Sequence, residues 1–452
     1  MLCNVLILLR YLLFLLASSQ KISYNTCGPQ ILCASQVGQM PKLAERLIGE
    51  LSSGAINPAS LGTPEQAALY RFCRNAVSQK RAQIAEQVRI GRTRVARKKQ
   101  NELLRSLPAR VLASVTAIRK INRRRLDRPL SNERTIPFRR VWTLAERLRT
   151  GLAAPSFGIA RLKPRRGNGF REVLMFEAFD VARQKLIVMS ITPFVGLHSS
   201  QFMLMGGRTA ACEALMAAMN TAPNGARFLH VDINDYHGSF SHDWLRENLP
   251  LSADIIQHAI LLDGMRNVLR WHLGLAHQQN DEGTDGMGRR GIPQGSAASS
   301  IVAEYVMADI LRAGAALLEG FSFFNYSDNL GILVPTGMDE PVFMERLSSV
   351  FQTHPAGPFH IRLVGSHDIR EPFGFLGYHW QMRNGARAFV PEFVASLREM
   401  NFQRDLLEAE TEEQLLRIEH SIRSYCAAFS LWEGAAAMQN RLLILTRDTL
   451  PI

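Results

Sequence analysis

Phe323-Phe324-Asn325-Tyr326-Ser327-Asp328-Asn329-Leu330-Gly331-Ile332-Leu333-Val334 decides how the rest of this chain is read. Two apolar runs flank a polar Tyr-Ser-Asp-Asn tip, which predicts a tight β-hairpin rising from a buried sheet. A carboxylate lifted out of such a sheet is costly unless it is paired or bound to a cation, so Asp328 invites a metal ion. The plainer alternative is a surface hairpin in which Asn and Asp act as ordinary turn residues.

Upstream, Phe228-Leu229-His230-Val231-Asp232-Ile233-Asn234-Asp235-Tyr236-His237-Gly238-Ser239-Phe240 is a second strand-like run ending in acids. A capped helix start follows at Ser241-His242-Asp243-Trp244-Leu245. Two strands delivering Asp232 and Asp328 from one sheet end would clamp two Mg²⁺ ions about 3.5–4 Å apart, as in-line nucleotidyl transfer requires. Asp235 either joins the metal shell or pairs with an arginine. Between the two runs lies Arg290-Gly291-Ile292-Pro293-Gln294-Gly295-Ser296-Ala297-Ala298-Ser299-Ser300, a Gly/Pro-hinged loop entering an apolar helix from Ile301 to Leu311. It suits close backbone approach to a nucleotide. Gln294 and Ser296 are placed to touch the nucleotide and the template base, although capping of the following helix would occupy the same serine.

In this order the blocks resemble the palm motifs of reverse transcriptases: the aspartate strand, the Pro-Gln-Gly-Ser loop and the Tyr-x-Asp-Asp hairpin. Phe375-Leu376-Gly377-Tyr378 is similar to the Phe-Leu-Gly grip that follows them, and Lys163-Pro164-Arg165-Arg166-Gly167-Asn168-Gly169-Phe170-Arg171 resembles the fingers segment. Asp180 and Gln184, then Gly206-Gly207-Arg208, stand where that family continues. The match covers residues 161–380, and its weight lies in the order of the motifs. The resemblance implies an α+β, right-hand polymerase fold and an RNA-directed DNA polymerase of the compact bacterial or mobile-element type. It implies Asp232, Asp328 and Asn329 as catalytic residues, with Asp232, Ile233 and Asp328 as ligands of two Mg²⁺ ions for which Mn²⁺ can substitute. Lys163, Arg171, Asp235, Tyr236, His237, Gln294, Gly295 and Ser296 would bind the nucleotide. Phe375, Leu376 and Gly377, with basic residues further upstream, would hold the nucleic acid. The implied partners are an RNA template and primer, dNTPs and, in some contexts, a dedicated structured RNA, with no stable membrane partner.

The sequence departs from that family at three places. Asn329 replaces the second hairpin aspartate and removes one negative charge. His237 stands five residues after Asp232, where the family carries Phe or Tyr to exclude a ribose 2′ hydroxyl; an imidazole is planar but also donates a hydrogen bond. The lysine expected shortly before the grip is missing, and His367 is the nearest titratable residue. The first two departures motivate an alternative: an RNA-dependent RNA polymerase, or a template-independent nucleotide-adding enzyme of the phage-defence sort. A non-catalytic nucleic-acid-binding protein on the same scaffold is a third reading.

Length and composition frame these expectations. A chain of 452 residues with 46% hydrophobic content is long enough for two or three domains and rules out wholesale disorder. Its formal charge of +13 points to a polyanionic partner. Six cysteines without zinc or redox spacing fit a reduced cytoplasmic protein, while the apolar Met1–Ser18 leaves membrane attachment open. Between Arg71 and Arg128, eighteen basic residues face three acids, Glu86, Glu102 and Asp127. Ile84, Val88, Ile90 and Val95 recur at helical spacing there, which predicts basic amphipathic helices with Arg92, Arg94, Arg97, Lys98 and Arg124 placed to grip phosphates. The expected division is an apolar and irregular lead over 1–60, a basic helical arm over 61–130, fingers over 131–226, a palm over 227–388 and a helical thumb over 389–452. Ala253 to His277 reads as helix, and Asp281, Glu282 and Asp285 as a solvated connector.

Overall fold

A computed structural model describes residues 40–124, 136–164, 170–263, 265–269, 290–383, 386–391 and 395–448. The chain opens with helices α1 (Met40–Ser53), α2 (Thr63–Arg89), α3 (Thr93–Arg105), α4 (Leu107–Arg124) and α5 (Phe138–Thr150). The expected basic helices are therefore present, but they do not stand off as an arm. Leu69, Ile84, Leu103, Val111 and Ile118 belong to the same buried cluster as Val231, Ile301 and Phe359 of the chain's centre. Amphipathicity explains why: one face of each helix is charged, and the other must find an apolar surface. Ile90 and Val95, expected on that buried face, are instead 41% exposed beside the turn at Gly91.

A hairpin of β1 (Phe157–Pro164) and β2 (Phe170–Phe176) follows, with Lys163 paired to Arg171 across it. Helix α6 (Ala178–Ile191) is buried on almost every side, and its Asp180 and Arg183 form an ion pair at 2.6 Å within the core. Helix α7 (Gly207–Thr221) starts from Gly206 in the left-handed region, the expected Gly-Arg turn.

The centre is β3 (Arg227–Asn234), α8 (His242–Asn248), β4 (Arg266–Leu269), α9 (Ala297–Ala313), β5 (Ser322–Tyr326), β6 (Asn329–Val334), α10 (Glu340–Thr353) and β7 (His360–Asp368). Strand β4 leaves this group and joins β1. The remaining four strands form an antiparallel sheet in the order β5-β6-β3-β7. With α9 and α10 as crossovers this is a βαββαβ unit of the ferredoxin-like kind. Helix α9 begins where Ser296 accepts the Ala298 amide, and α10 where Asp339 accepts that of Val342. One expectation fails here. Among the described residues of 253–277, helical structure ends at Ile260, because Leu262 enters the left-handed region and turns the chain towards β4, while the rest of that span lies outside the described residues. Short apolar runs such as Ile255-Ile256 and Ile260-Leu261-Leu262 do not distinguish helix from strand by periodicity.

Beyond the sheet, β8 (Phe373–Phe375), β9 (Tyr378–Arg383) and β10 (Ala386–Pro391) form a small antiparallel sheet. Helices α11 (Ala395–Leu407), α12 (Glu412–Ala428) and α13 (Gly434–Asp448) then pack around Phe402, Ile422 and Met438. A boundary between 388 and 389 cuts through β10, so that strand belongs with β9. No helix among the described residues is long and apolar enough to cross a membrane.

Candidate functional site

Strand β3 sends alternate residues to opposite sides. Leu229, Val231 and Ile233 join the large helix-covered core, whereas Phe228 joins a separate aromatic cluster with Phe373, Phe375 and Trp380. Asp232 falls on the Phe228 side. On β6, directly paired with β3, Asn329 lies opposite Asp232 and Gly331 opposite His230. The hairpin tip is tied to β3 by a backbone hydrogen bond of 3.0 Å from the Ile233 amide to the Asp328 carbonyl. Asp232 and Asp328, 96 positions apart in sequence, therefore meet at one end of the sheet.

Three residues that the sequence did not single out shape this meeting. Asn325, fully buried, donates from Nδ2 to the Ser327 carbonyl at 2.8 Å and holds Ser327 at φ +58°, the turn that presents Asp328. His230 lies 3.3 Å from the Asn329 side-chain oxygen and packs edge-on against Phe375. Arg362 on β7 reaches Asp232 at 3.5 Å. A bulge in β7 at Val364 sets that last contact, since an unbroken register would bring Leu363 opposite Asp232. Gly331 is required because a Cβ there would lie 2.8 Å from the Phe228 ring and 3.0 Å from that of Phe375.

Electrostatically the pair is under-compensated. Burial raises the Asp232 carboxyl above its ordinary range and the Asp328 charge raises it further, while Arg362 and His230 offset part of this. Asn329 donates to Asp328 Oδ1 at 2.9 Å, so the asparagine supports the carboxylate. The donors are hard oxygens: two carboxylates and the backbone carbonyl that is all Ile233 can offer. Among the described residues no third His, Cys, Asp or Glu completes a cluster. Such a set suits a divalent cation that keeps several positions for water and phosphate oxygens.

The other expected site residues divide. Gln294, Gly295, Ser296 and His237 line a cleft of about 640 Å³ together with Asp328. Gly295, at φ +100°, is pressed onto the Leu174 backbone, which excludes any side chain, and Gln294 accepts the Leu174 amide through its carbonyl. The Ser296 hydroxyl caps α9. Tyr236 is a correction: its ring is only 2% exposed and its hydroxyl donates to the Ala303 carbonyl at 2.8 Å, so its side chain belongs to the core. Asp235, exposed and at φ +43°, folds its carboxylate over Gly238. Phe375 is likewise buried, leaving Leu376 and Gly377 at the β8–β9 turn. There Arg208 stacks on Phe429 and donates to the Leu376 and Ala428 carbonyls. His367 sits in β7, one residue before its end, stacked on Phe373. Arg92, Arg94 and Lys98 are exposed around the α2–α3 turn and Arg97 is half-buried. The side chains of Lys163, Arg171 and Arg124, and the acids Asp281, Glu282 and Asp285, lie outside the described residues.

The chain matches no family model and no curated protein. Among solved structures, it overlaps an insertion-loop deletion mutant of the RNA-dependent RNA polymerase of a human picobirnavirus at 11% identity and TM-score 0.38, covering 65% of this chain and 58% of that one. It overlaps telomerase from Candida albicans, in complex with a fragment of telomeric RNA, at 11% identity and TM-score 0.31, covering 66% and 60%. The Sicinivirus 3Dpol RNA-dependent RNA polymerase overlaps at 11% identity and TM-score 0.35, covering 68% and 66%. The matched part thus spans less than two thirds of those chains' own length. The fold stands on the chain's own sheet order: a βαββαβ sheet with helical layers, of the α+β class expected from the sequence.

Proposed function

We propose that this chain is a nucleotidyltransferase, and specifically an RNA-directed DNA polymerase that extends a primer 3′ end on an RNA template. The observation that carries the reading is the convergence of Asp232 and Asp328 at the rim of one sheet, with Asp328 lining a nucleotide-sized cleft beside Gln294, Gly295 and Ser296. Residues 227–391 would then be the palm, with fingers before and a thumb after it, and the N-terminal helices would form a wall against which the palm rests.

Bound Mg²⁺, or Mn²⁺ in its place, would activate the primer hydroxyl and neutralise charge on the departing pyrophosphate. The protein's part is positional. Asp232, the Ile233 carbonyl and Asp328 hold the cation site, and Asn329 keeps the Asp328 carboxylate oriented. Arg362 offsets part of the Asp232 charge. Gln294 and His237 border the space for base and sugar.

Asp328→Ala is expected to abolish primer extension on poly(A)/oligo(dT) while leaving RNA affinity nearly intact. Unchanged extension by that variant defeats the assignment. Calorimetric titration with Mn²⁺ gives a readout independent of turnover, and the same variant should lose that binding.

A second reading keeps the site and changes the nucleotide. His237 packs edge-on against Tyr236 at 5.9 Å and lines the cleft, which supports a role for it in sugar selection. Parallel extension with dNTPs and NTPs, with and without template, separates a DNA polymerase from an RNA polymerase or a template-independent enzyme.

A further inference from the structure

The cleft beside Asp328 has a wall that the motifs did not foresee. Helix α4, from the basic N-terminal region, packs along α6, and together they bring Lys120 and Lys185 into the lining of the same 640 Å³ cavity as His237, Gln294 and Asp328. We infer that Lys120 and Lys185 form a binding site for the polyphosphate tail of a nucleoside triphosphate, so that the N-terminal helical layer is part of the substrate site. This rests on the nucleotidyl-transfer reading above.

Three observations carry the inference. Lys185 is half-buried, its ammonium pulled below the ordinary lysine range by desolvation, and among the described residues it forms no ion pair. A cation taken out of water without a counter-charge is costly, and an anion entering the cleft relieves that cost. Next, the first amides of α9 are already spoken for. Gln184 accepts from Ala297 at 3.0 Å and Ser296 from Ala298 at 3.2 Å, so the helix start does not offer those donors to a phosphate. The charge must come from side chains. Finally, the cavity lies within the size range of about 300–1,000 Å³ typical of small-ligand sites. It contains a proposed metal-binding carboxylate as well as the two ammonium groups. A triphosphate is the ligand that needs both, with one phosphate at the metal and the distal ones over the lysines.

The test uses the full-length protein with Lys185→Gln, Lys120→Gln and Lys185→Arg, each checked for an unaltered thermal melt. Inorganic tripolyphosphate is titrated calorimetrically in chelator, which removes both metal and turnover from the readout. Nucleotide KM is measured in primer extension, and RNA-duplex affinity by anisotropy. Loss of one of two converging cations should weaken tripolyphosphate binding and raise nucleotide KM by about tenfold for Lys185→Gln and somewhat less for Lys120→Gln. RNA affinity should stay within about twofold, and Lys185→Arg should retain most of the binding. Unchanged tripolyphosphate affinity and KM overturn the inference. So does a fall in RNA affinity with KM unmoved, which would assign the lysines to the nucleic-acid strand. Should Lys185→Gln fail to fold, Lys120→Gln and Lys185→Arg still decide between these outcomes. Lysine-dependent tripolyphosphate binding in a protein that incorporates no nucleotide would keep the anion site and discard the polymerase. Robust incorporation with lysine-independent binding would do the reverse.

Discussion

The two faces of β3 follow different rules. Leu229, Val231 and Ile233 are buried against helices, and nothing polar interrupts them. Phe228, His230 and Asp232, one residue out of step, pass from an aromatic cluster to a hydrogen-bonding imidazole to a carboxylate. A single strand thus anchors the sheet with one set of side chains and presents chemistry with the other, and the change of character along the second set marks the site.

A pair of substitutions one residue apart breaks the comparison most sharply. Val231→Asp puts an unpaired carboxylate in the helix-covered core and should cost about 3–5 kcal/mol of stability, read as a lowered denaturant midpoint. Asp232→Asn, which relieves the repulsion from Asp328, should stay within about 1 kcal/mol of the parent or exceed it, while primer extension falls by about 10²–10³-fold or more. Equal losses of stability in the two variants would mean that Asp232 is structural.

Why Asp232 was legible and Arg362 was not follows from the same geometry. An acid at the end of a strand, a second at a hairpin tip and a Pro-Gln-Gly loop between them are local patterns, each written within a dozen residues. Arg362 faces Asp232 only because β7 bulges at Val364, and register between distant strands is set by packing that no short window contains. The N-terminal helices were legible as basic and amphipathic, but the surface that takes their apolar faces was not, so the route of Lys120 into the cleft stayed hidden. Tyr236 misled for the opposite reason. Its neighbours in sequence point to the site, yet the turn at Asp235 sends its ring inward to Ala303.

The hairpin offers a finer test of the open face. Asn325→Leu keeps the shape of a fully buried side chain but removes the donor that holds the Ser327 carbonyl. Among the described residues its own Oδ1 is buried without a partner, so the apolar replacement also removes an existing cost. Stability should change little, whereas kcat should drop by about tenfold as Asp328 loses its fixed turn, with KM nearly constant. Adding Ser327→Gly, which adopts φ +58° without strain, should recover part of that loss. A double variant no better than the single one would place the role of Asn325 elsewhere.

On the helix-covered side the corresponding probe is Glu304, in α9 and only 1% exposed, whose Oε2 accepts from Gln201 at 3.1 Å. Burial pushes its carboxyl up to about 7 from an ordinary 4.5, with the Gln201 hydrogen bond opposing the rise. Because the folded state holds this proton more tightly than the unfolded one, the contribution is fully present below pH 4.5 and is lost as pH rises through about 7. Glu304→Gln keeps an acceptor for Gln201 and has no proton to lose. It should therefore be more stable than the parent at pH 8 by about 1–3 kcal/mol, with the difference shrinking towards pH 5. Thermal melts across that range decide the matter. A pH-independent difference would mean that the Glu304 carboxyl stays charged in the core, paired by something other than Gln201, and that the helix-covered face tolerates a charge as the open face does.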